Sequence, residues 1–159
     1  MLRLEAVTDV HRTDVLGIDR SDISEDWVDS VQHILDMTQY GLDHGCIGHT
    51  YVIFAENTCI GIILMGEGFH WSCDPQEVAN TPFYRIMGFI LDKAWRGKGI
   101  GGQVLEMVIS HIFAESGPRP ILLGVQEDNR RAAVFYQRHG FIPTVAWDED
   151  DRFYIRYPQ

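Results

Sequence analysis

The chain has 159 residues, 45% of them apolar, with 23 acidic against 13 basic side chains and a formal net charge of −10. That length supports one sizeable core, and the surplus of acid argues against nucleic acid and anionic membrane as partners, since both need a basic face. No apolar run reaches the length of a membrane span, and Met1-Leu2-Arg3-Leu4-Glu5 lacks the apolar centre of a signal peptide, so a cytoplasmic protein is expected.

In chain order, residues 2–7 alternate as a strand and 10–18 carry a short helical pattern. Ser24 stands where an N-cap would open a helix reaching 40–42, with Trp27, Val31, Ile34, Leu35 and Thr38 along one stripe. Gly45 and Gly48 break that pattern. Residues 50–55 and 59–65 then form a hairpin across Glu56-Asn57-Thr58. Residues 66–81 contain Pro75 and show no periodicity, a loop long enough to carry function. A strand at 83–91, a helix at 101–115, a strand at 120–126 and a helix at 130–138 follow, and 141–147 with 153–157 close the chain as a second hairpin. No repeat, low-complexity tract or linker intervenes, so 1–159 reads as a single domain. Cys46, Cys59 and Cys73 cannot all pair and lack metal-ligand spacing, and His44 and His49 sit in a glycine-broken loop, so no metal site is expected.

The stretch Arg96-Gly97-Lys98-Gly99-Ile100-Gly101-Gly102 lies between the strand 83–91 and the following helix. A glycine-rich turn there presents backbone N–H groups at a helix N-terminus, where the helix dipole also favours negative charge, so it forms a cradle for phosphate or pyrophosphate. A plain strand-to-helix turn needs fewer glycines. The absence of Gly-Lys-Ser/Thr disfavours a nucleoside triphosphate loop. Gly97-x-Gly99-x-x-Gly102 meets the dinucleotide fingerprint, but that motif opens a succession of βαβ units and here only one can follow. The spacing Arg96-x-x-Gly99-x-Gly101 fits a third pattern. Downstream, Asn129, Ala132, Tyr136, Gly140 and Phe141 stand in the order Asn-x-x-Ala-x-x-x-Tyr-x-x-x-Gly-Phe. Asn129 can cap the helix from 130, Ala132 and Tyr136 share a face, and Gly140 ends the helix. Read alone, Asn129 is equally a cap and Tyr136 a half-buried core aromatic.

Together the two motifs resemble the acetyl-CoA motifs of the GNAT N-acetyltransferases, and the element order β-α-α-β-β-β-α-β-α-β-β extends the likeness over nearly the whole chain. Leu4 to Asp9, Trp27-Val28-Asp29-Ser30 and the long loop before the fourth strand are similar to bacterial spermine/spermidine N-acetyltransferases. The resemblance implies an α/β (α+β) fold with a central mixed, mostly antiparallel sheet of about seven strands and about four helices. Acetyl-CoA, the co-substrate, would lie where strands 83–91 and 120–126 splay apart. Phe89, Ile90 and Leu91 would hold the pantetheine arm by backbone hydrogen bonds, and Arg96, Gly97, Lys98, Gly99, Ile100 and Gly101 the pyrophosphate. Asn129 would contact the pantetheine arm and Tyr136 would protonate the leaving thiolate, while Gly88 suits a bulge that opens the gap.

The same resemblance exposes a departure. Several relatives carry an acid on the fourth strand, where this chain has Met87 and Gly88, which cannot accept a proton. Glu67, His70 and Asp74 in the long loop are alternatives. The expected acceptor is a polyamine or similar small cationic amine, held by Glu25, Asp26 and Glu67. An amino acid, an aminoglycoside, a protein N-terminus and a non-catalytic coenzyme A-binding module are the competing readings. Monomer and homodimer are both compatible with the sequence.

Overall fold

The alternating and apolar runs become seven strands of one sheet in the computed structural model, which describes residues 1–159. They are β1 (Leu2–Ala6), β2 (Gly48–Ala55), β3 (Thr58–Glu67), β4 (Tyr84–Leu91), β5 (Ile121–Gln126), β6 (Ile142–Asp148) and β7 (Asp151–Arg156). The helices are α1 (Arg12–Leu16), α2 (Val31–Asp43), α3 (Ile100–Ser116) and α4 (Arg130–Arg138). The sheet order is β1-β2-β3-β4-β5-β7-β6, and β4–β5 is the parallel pair among antiparallel neighbours.

Both faces of the sheet are covered, which is why β2, β3 and β4 read as continuous apolar runs rather than alternating ones. On one face Val104, Leu105, Val108, Ile109 and Ile112 of α3 pack against Ile53, Ile63, Met65, Tyr84 and Leu123. On the other, Val15, Val31 and Ile34 from α1 and α2 meet Val52, Ile62, Leu64 and Ile90. A smaller cluster of Val78, Phe83, Leu122, Phe153 and Ile155 tucks the 3-10 turn Gln76–Val78 of the long loop under the second face. Each fully buried aliphatic side chain contributes about 1.5–3 kcal/mol relative to exposure.

The start of α2 differs from the expectation. Ser30, not Ser24, is the N-cap, accepting from the His33 N–H at 3.1 Å. Arg20 explains why the preceding residues are not helical. Its guanidinium donates to the carbonyls of Ile23, Ser24, Val28 and Asp29, oxygens that a helix would otherwise claim. Ser24 instead caps a local turn, its hydroxyl accepting from the Asp26 N–H.

One feature of the sheet opens the site. β4 and β5 pair only at Tyr84↔Ile121 and Arg85↔Leu122, and beyond that they part. On the other side of β4 the register moves from Met65↔Ile86 to Leu64↔Gly88, leaving Met87 as the extra residue of a bulge. A Cβ on Gly88 would stand 2.6 Å from the Ile34 Cδ1, so glycine is what lets α2 pack onto the bulged strand.

Candidate active site

The parting of β4 from β5 leaves main-chain groups of β4 without a strand partner. Asp92 donates its N–H to Ile60 O at 2.7 Å, which sets the alternation of the β3–β4 ladder. By that alternation Ile90 faces β3 with its N–H and C=O, whereas Phe89 and Leu91 turn theirs into the gap. Ile90 is thereby corrected as a pantetheine contact. Its backbone belongs to the ladder and its side chain is fully buried against α2.

The loop after β4 takes the form the glycines foretell. Gly97 and Gly99 have φ of +75° and +77°, left-handed values that glycine adopts without strain. The N–H groups of residues 97–102 donate to no acceptor within the chain, and the first N–H paired there is that of Gln103, to Gly99 O. They crown the N-terminus of α3, a 17-residue helix whose dipole favours an anion at that point. Ile100 opens that helix. Arg96 is engaged elsewhere. Its Nε donates to Leu91 O at 2.9 Å, one Nη to Asp19 O at 3.3 Å, and the other pairs with Asp22. Arg96 thus clamps the end of β4 to the turn at residues 19–22, and Asp22 is held below the usual carboxylate range chiefly by its hydrogen bond from Arg96. Lys98 is exposed at the loop tip, its Nζ 5.2 Å from the Trp95 ring centroid.

Across the gap, Asn129 caps α4 by accepting from the Ala132 N–H at 3.3 Å. One turn further, the Tyr136 ring packs edge-on against Phe135 and Phe141, with centroids 5.1 and 5.4 Å away. Burial alone shifts its hydroxyl, pushing the pKa upward, so the group stays protonated throughout the physiological range. Tyr136, Asn129, Phe89, Leu91, Arg96, Gly97, Gly99 and Gly101 all line one cleft of about 1500 Å³.

The walls of that cleft carry opposite charge. Arg130, Arg131 and Arg138 stand on α4 beside the glycine loop, while Arg96 and Asp22 neutralise each other and Glu106 is neutralised by Arg156 at 2.7 Å. Glu25, Asp26, Asp29, Asp148 and Asp151 line the cleft as well, from the 19–30 segment and the β6–β7 hairpin. Of the three carboxylates expected to hold the acceptor, Glu25 and Asp26 line this cleft. Glu67 does not. It lines a second cavity of about 220 Å³ beyond Trp71, Arg85 and Met87, which border both spaces.

The loop candidates for a proton acceptor also fare differently. Asp74 is 5% exposed in its side chain and locked onto Arg85 at 2.8 Å, and so is unavailable as a base. His70 is exposed, packs edge-on against Phe83 at 5.1 Å, and lines neither cavity. Two features escaped the sequence reading: Arg85, a buried cation in an apolar strand, and the carboxylates of Asp148 and Asp151 around the cleft. The run Asp148-Glu149-Asp150-Asp151 was visible, but its hairpin-tip composition carried no sign that it reaches the site.

The chain matches the model of the acetyltransferase (GNAT) family over residues 13–141 and belongs to that family. It is an acetyl-CoA-dependent N-acetyltransferase with the mixed GNAT fold. A probable spermine N(1)-acetyltransferase of Bacillus subtilis subsp. natto is 25% identical over 142 residues, covering 88% of this chain and 87% of the relative. A mycothiol acetyltransferase of Corynebacterium glutamicum is 34% identical over 79 residues, 50% of this chain and 25% of that one. The PaiA N-acetyltransferase of Thermoplasma acidophilum, solved in complex with coenzyme A, superposes with TM-score 0.71 at 14% identity over 99% of both chains. A GNAT family acetyltransferase of Elizabethkingia anophelis with acetyl-CoA bound gives TM-score 0.63 at 15% identity, covering 99% of this chain and 98% of that one. At those identities the structural likeness is one of fold.

Proposed function

We propose that this single acetyltransferase domain, 1–159, transfers the acetyl group of acetyl-CoA to the primary amine of a polyamine or similar small cation in the cytoplasm. The observation that carries the reading is the division of charge across the cleft, arginines of α4 beside the glycine loop against carboxylates from residues 25–29 and the β6–β7 hairpin. The first wall suits the phosphates of the co-substrate, and the second attracts a polycation and repels an anionic acceptor. The kinship with a probable spermine acetyltransferase over 88% of the chain points the same way.

In this reading the free N–H groups of residues 97–101 hold the pyrophosphate, and the gap-facing main chain of Phe89 and Leu91 aligns the pantetheine arm. Arg96 positions the loop through Leu91, and Asn129 fixes the start of α4 beside the arm. The neutral amine attacks the thioester carbon, the C–S bond breaks, and the Tyr136 hydroxyl gives its proton to the leaving thiolate. Glu25 and Asp26 attract the distal ammonium groups, each weakly because they are exposed, and useful affinity comes from several acting together.

A panel of primary amines assayed with acetyl-CoA by thiol release tests the reading. Spermidine is expected among the turned-over amines, with a KM that climbs steeply with salt, since the Debye length is about 8 Å at physiological ionic strength. Equal use of neutral and anionic amines, with no dependence on salt, overturns it.

A further inference from the structure

A carboxylate reaches the cleft from the wall opposite β4. Continuing the parallel register Tyr84↔Ile121 and Arg85↔Leu122 past the parting of the strands sets Gly124 of β5 level with Met87. Gly124 is exposed, whereas its neighbours Leu123 and Val125 are buried with Tyr136 on the α3 face. Side chains alternate along a strand, so Gly124 and Leu122 belong to the other face, with Phe153 and Ile155 of β7. Asp151 lies two residues before Phe153 and shares that face. It reaches over the bare backbone of Gly124: a Cβ there would stand 3.4 Å from the Asp151 Cβ and 3.7 Å from its Oδ2. A carboxylate is thus delivered to the height where the strand acid is absent, and to the face from which Asp29 and Asp148 line the same cleft.

We propose that Asp151 is the catalytic base that takes the first proton from the acceptor's ammonium group. The proposal rests on the amine-acceptor reading above. The ammonium ion gives one proton to the Asp151 carboxylate and becomes a neutral amine. Its lone pair forms the C–N bond to the thioester carbon, and the tetrahedral adduct collapses with rupture of the C–S bond. The second nitrogen proton is lost to solvent, the thiolate is protonated through Tyr136, and Asp151 releases its proton to water before the next turnover. Asp151 is suited to the task. Burial, and then the neighbouring carboxylates of Asp148, Asp150, Asp29 and Glu149, raise its pKa above the ordinary carboxylate value, which strengthens it as a base. No cation pairs with it. Arg85, the cation on that face of the cleft, is committed to Asp74.

Asp151→Asn tests this, with Asp43→Asn, an exposed acid at the end of α2 that lines neither cavity, as a control of like charge change and Asp151→Glu as the conservative variant. A lost general base lowers the rate by roughly 10²–10⁴-fold, so kcat/KM for the amine at neutral pH is expected to fall that far in Asp151→Asn, with acetyl-CoA affinity by calorimetry unchanged. The pH profile is decisive. In the parent kcat/KM levels off above the Asp151 pKa, whereas in Asp151→Asn it climbs about tenfold per pH unit toward the ammonium pKa, because only amine already neutral reacts. Asp151→Glu should recover part of the rate, and Asp43→Asn should keep the parent profile. A profile parallel to the parent's in Asp151→Asn, displaced only by a higher KM, overturns the proposal and leaves Asp151 an attracting charge. If the parent ignores spermidine, the polyamine reading fails by itself, and the same comparison is made with the amine the parent uses best.

Discussion

Arg85 and Asp74 form an ion pair whose side chains are 4% and 5% exposed, one Nη of the arginine meeting both carboxylate oxygens at 2.8 and 2.9 Å. The same nitrogen donates to Phe69 O at 2.9 Å, and the guanidinium stacks 3.6 Å from the Trp71 ring centroid. The pair therefore straps the long loop to β4 beside the cleft. Removing one partner of a buried pair strands the other charge, at about 3–5 kcal/mol, while replacing both by apolar groups costs far less. Asp74→Asn is expected to lose most of that in urea denaturation, and Arg85→Met with Asp74→Leu to recover stability relative to it. An unchanged midpoint in Asp74→Asn would mean the loop holds without the pair.

Gly99 and Gly102 should fail for different reasons. A Cβ on Gly99 meets open space, but φ of +77° strains any other residue by roughly 1–2 kcal/mol and turns the N–H cradle. Gly99→Val is expected to weaken coenzyme A binding at least tenfold in calorimetry with a small change in Tm. A Cβ on Gly102 would stand 2.7 Å from the His139 ring, so Gly102→Val displaces that ring from its place beside Glu106 and lowers Tm as well as affinity. Unchanged affinity in both variants would remove the loop from coenzyme A binding.

Tyr136→Phe keeps the ring against Phe135 and Phe141 and removes only the hydroxyl. Turnover is expected to fall roughly 10²–10⁴-fold with acetyl-CoA affinity nearly unchanged. Turnover within about threefold of the parent would show that the thiolate leaves without this acid.

The cap exchange at α2 is open to a direct test. Ser30→Ala should cost about 0.5–2 kcal/mol by stranding the His33 N–H, whereas Ser24→Ala should be nearly neutral, its turn being held by Arg20. Comparing the two thermal midpoints checks the order.

The Glu106–Arg156 pair predicts a pH dependence. Arg156 donates to both Glu106 oxygens, at 2.7 and 3.1 Å, and this hydrogen bonding holds the carboxyl below its ordinary 4.5. A lowered folded-state pKa means the stabilisation is fully present above that ordinary value and is lost as pH falls through the folded one. The difference in Tm between the parent and Glu106→Gln should be constant down to pH 4.5 and close below it. A difference that persists undiminished in acid would assign it to packing.

Much of the fold is legible locally. The glycine loop and the cap at Asn129 are written in short stretches, because left-handed turns and helix ends demand particular residue types. The Ser24 expectation failed where that logic was outcompeted. An apolar stripe and a capping serine were present, but Arg20 binds the carbonyls from the side. Glu67 and Asp74 looked alike in the sequence, two acids in one loop, and only packing distinguishes the wall of a second cavity from a buried partner for Arg85.

The sequence by itself determined the strands, α3, α4 and the glycine-rich turn, since each depends on a period or spacing contained within a few residues. Tertiary structure decided which charges face each other. Asp151 meets Gly124 because β7 runs antiparallel to β5 with Gly124 opposite Phe153, and Asp22 reaches Arg96 across 74 positions of chain. Such contacts are set by strand register and by turns far apart in sequence, and no local period encodes them.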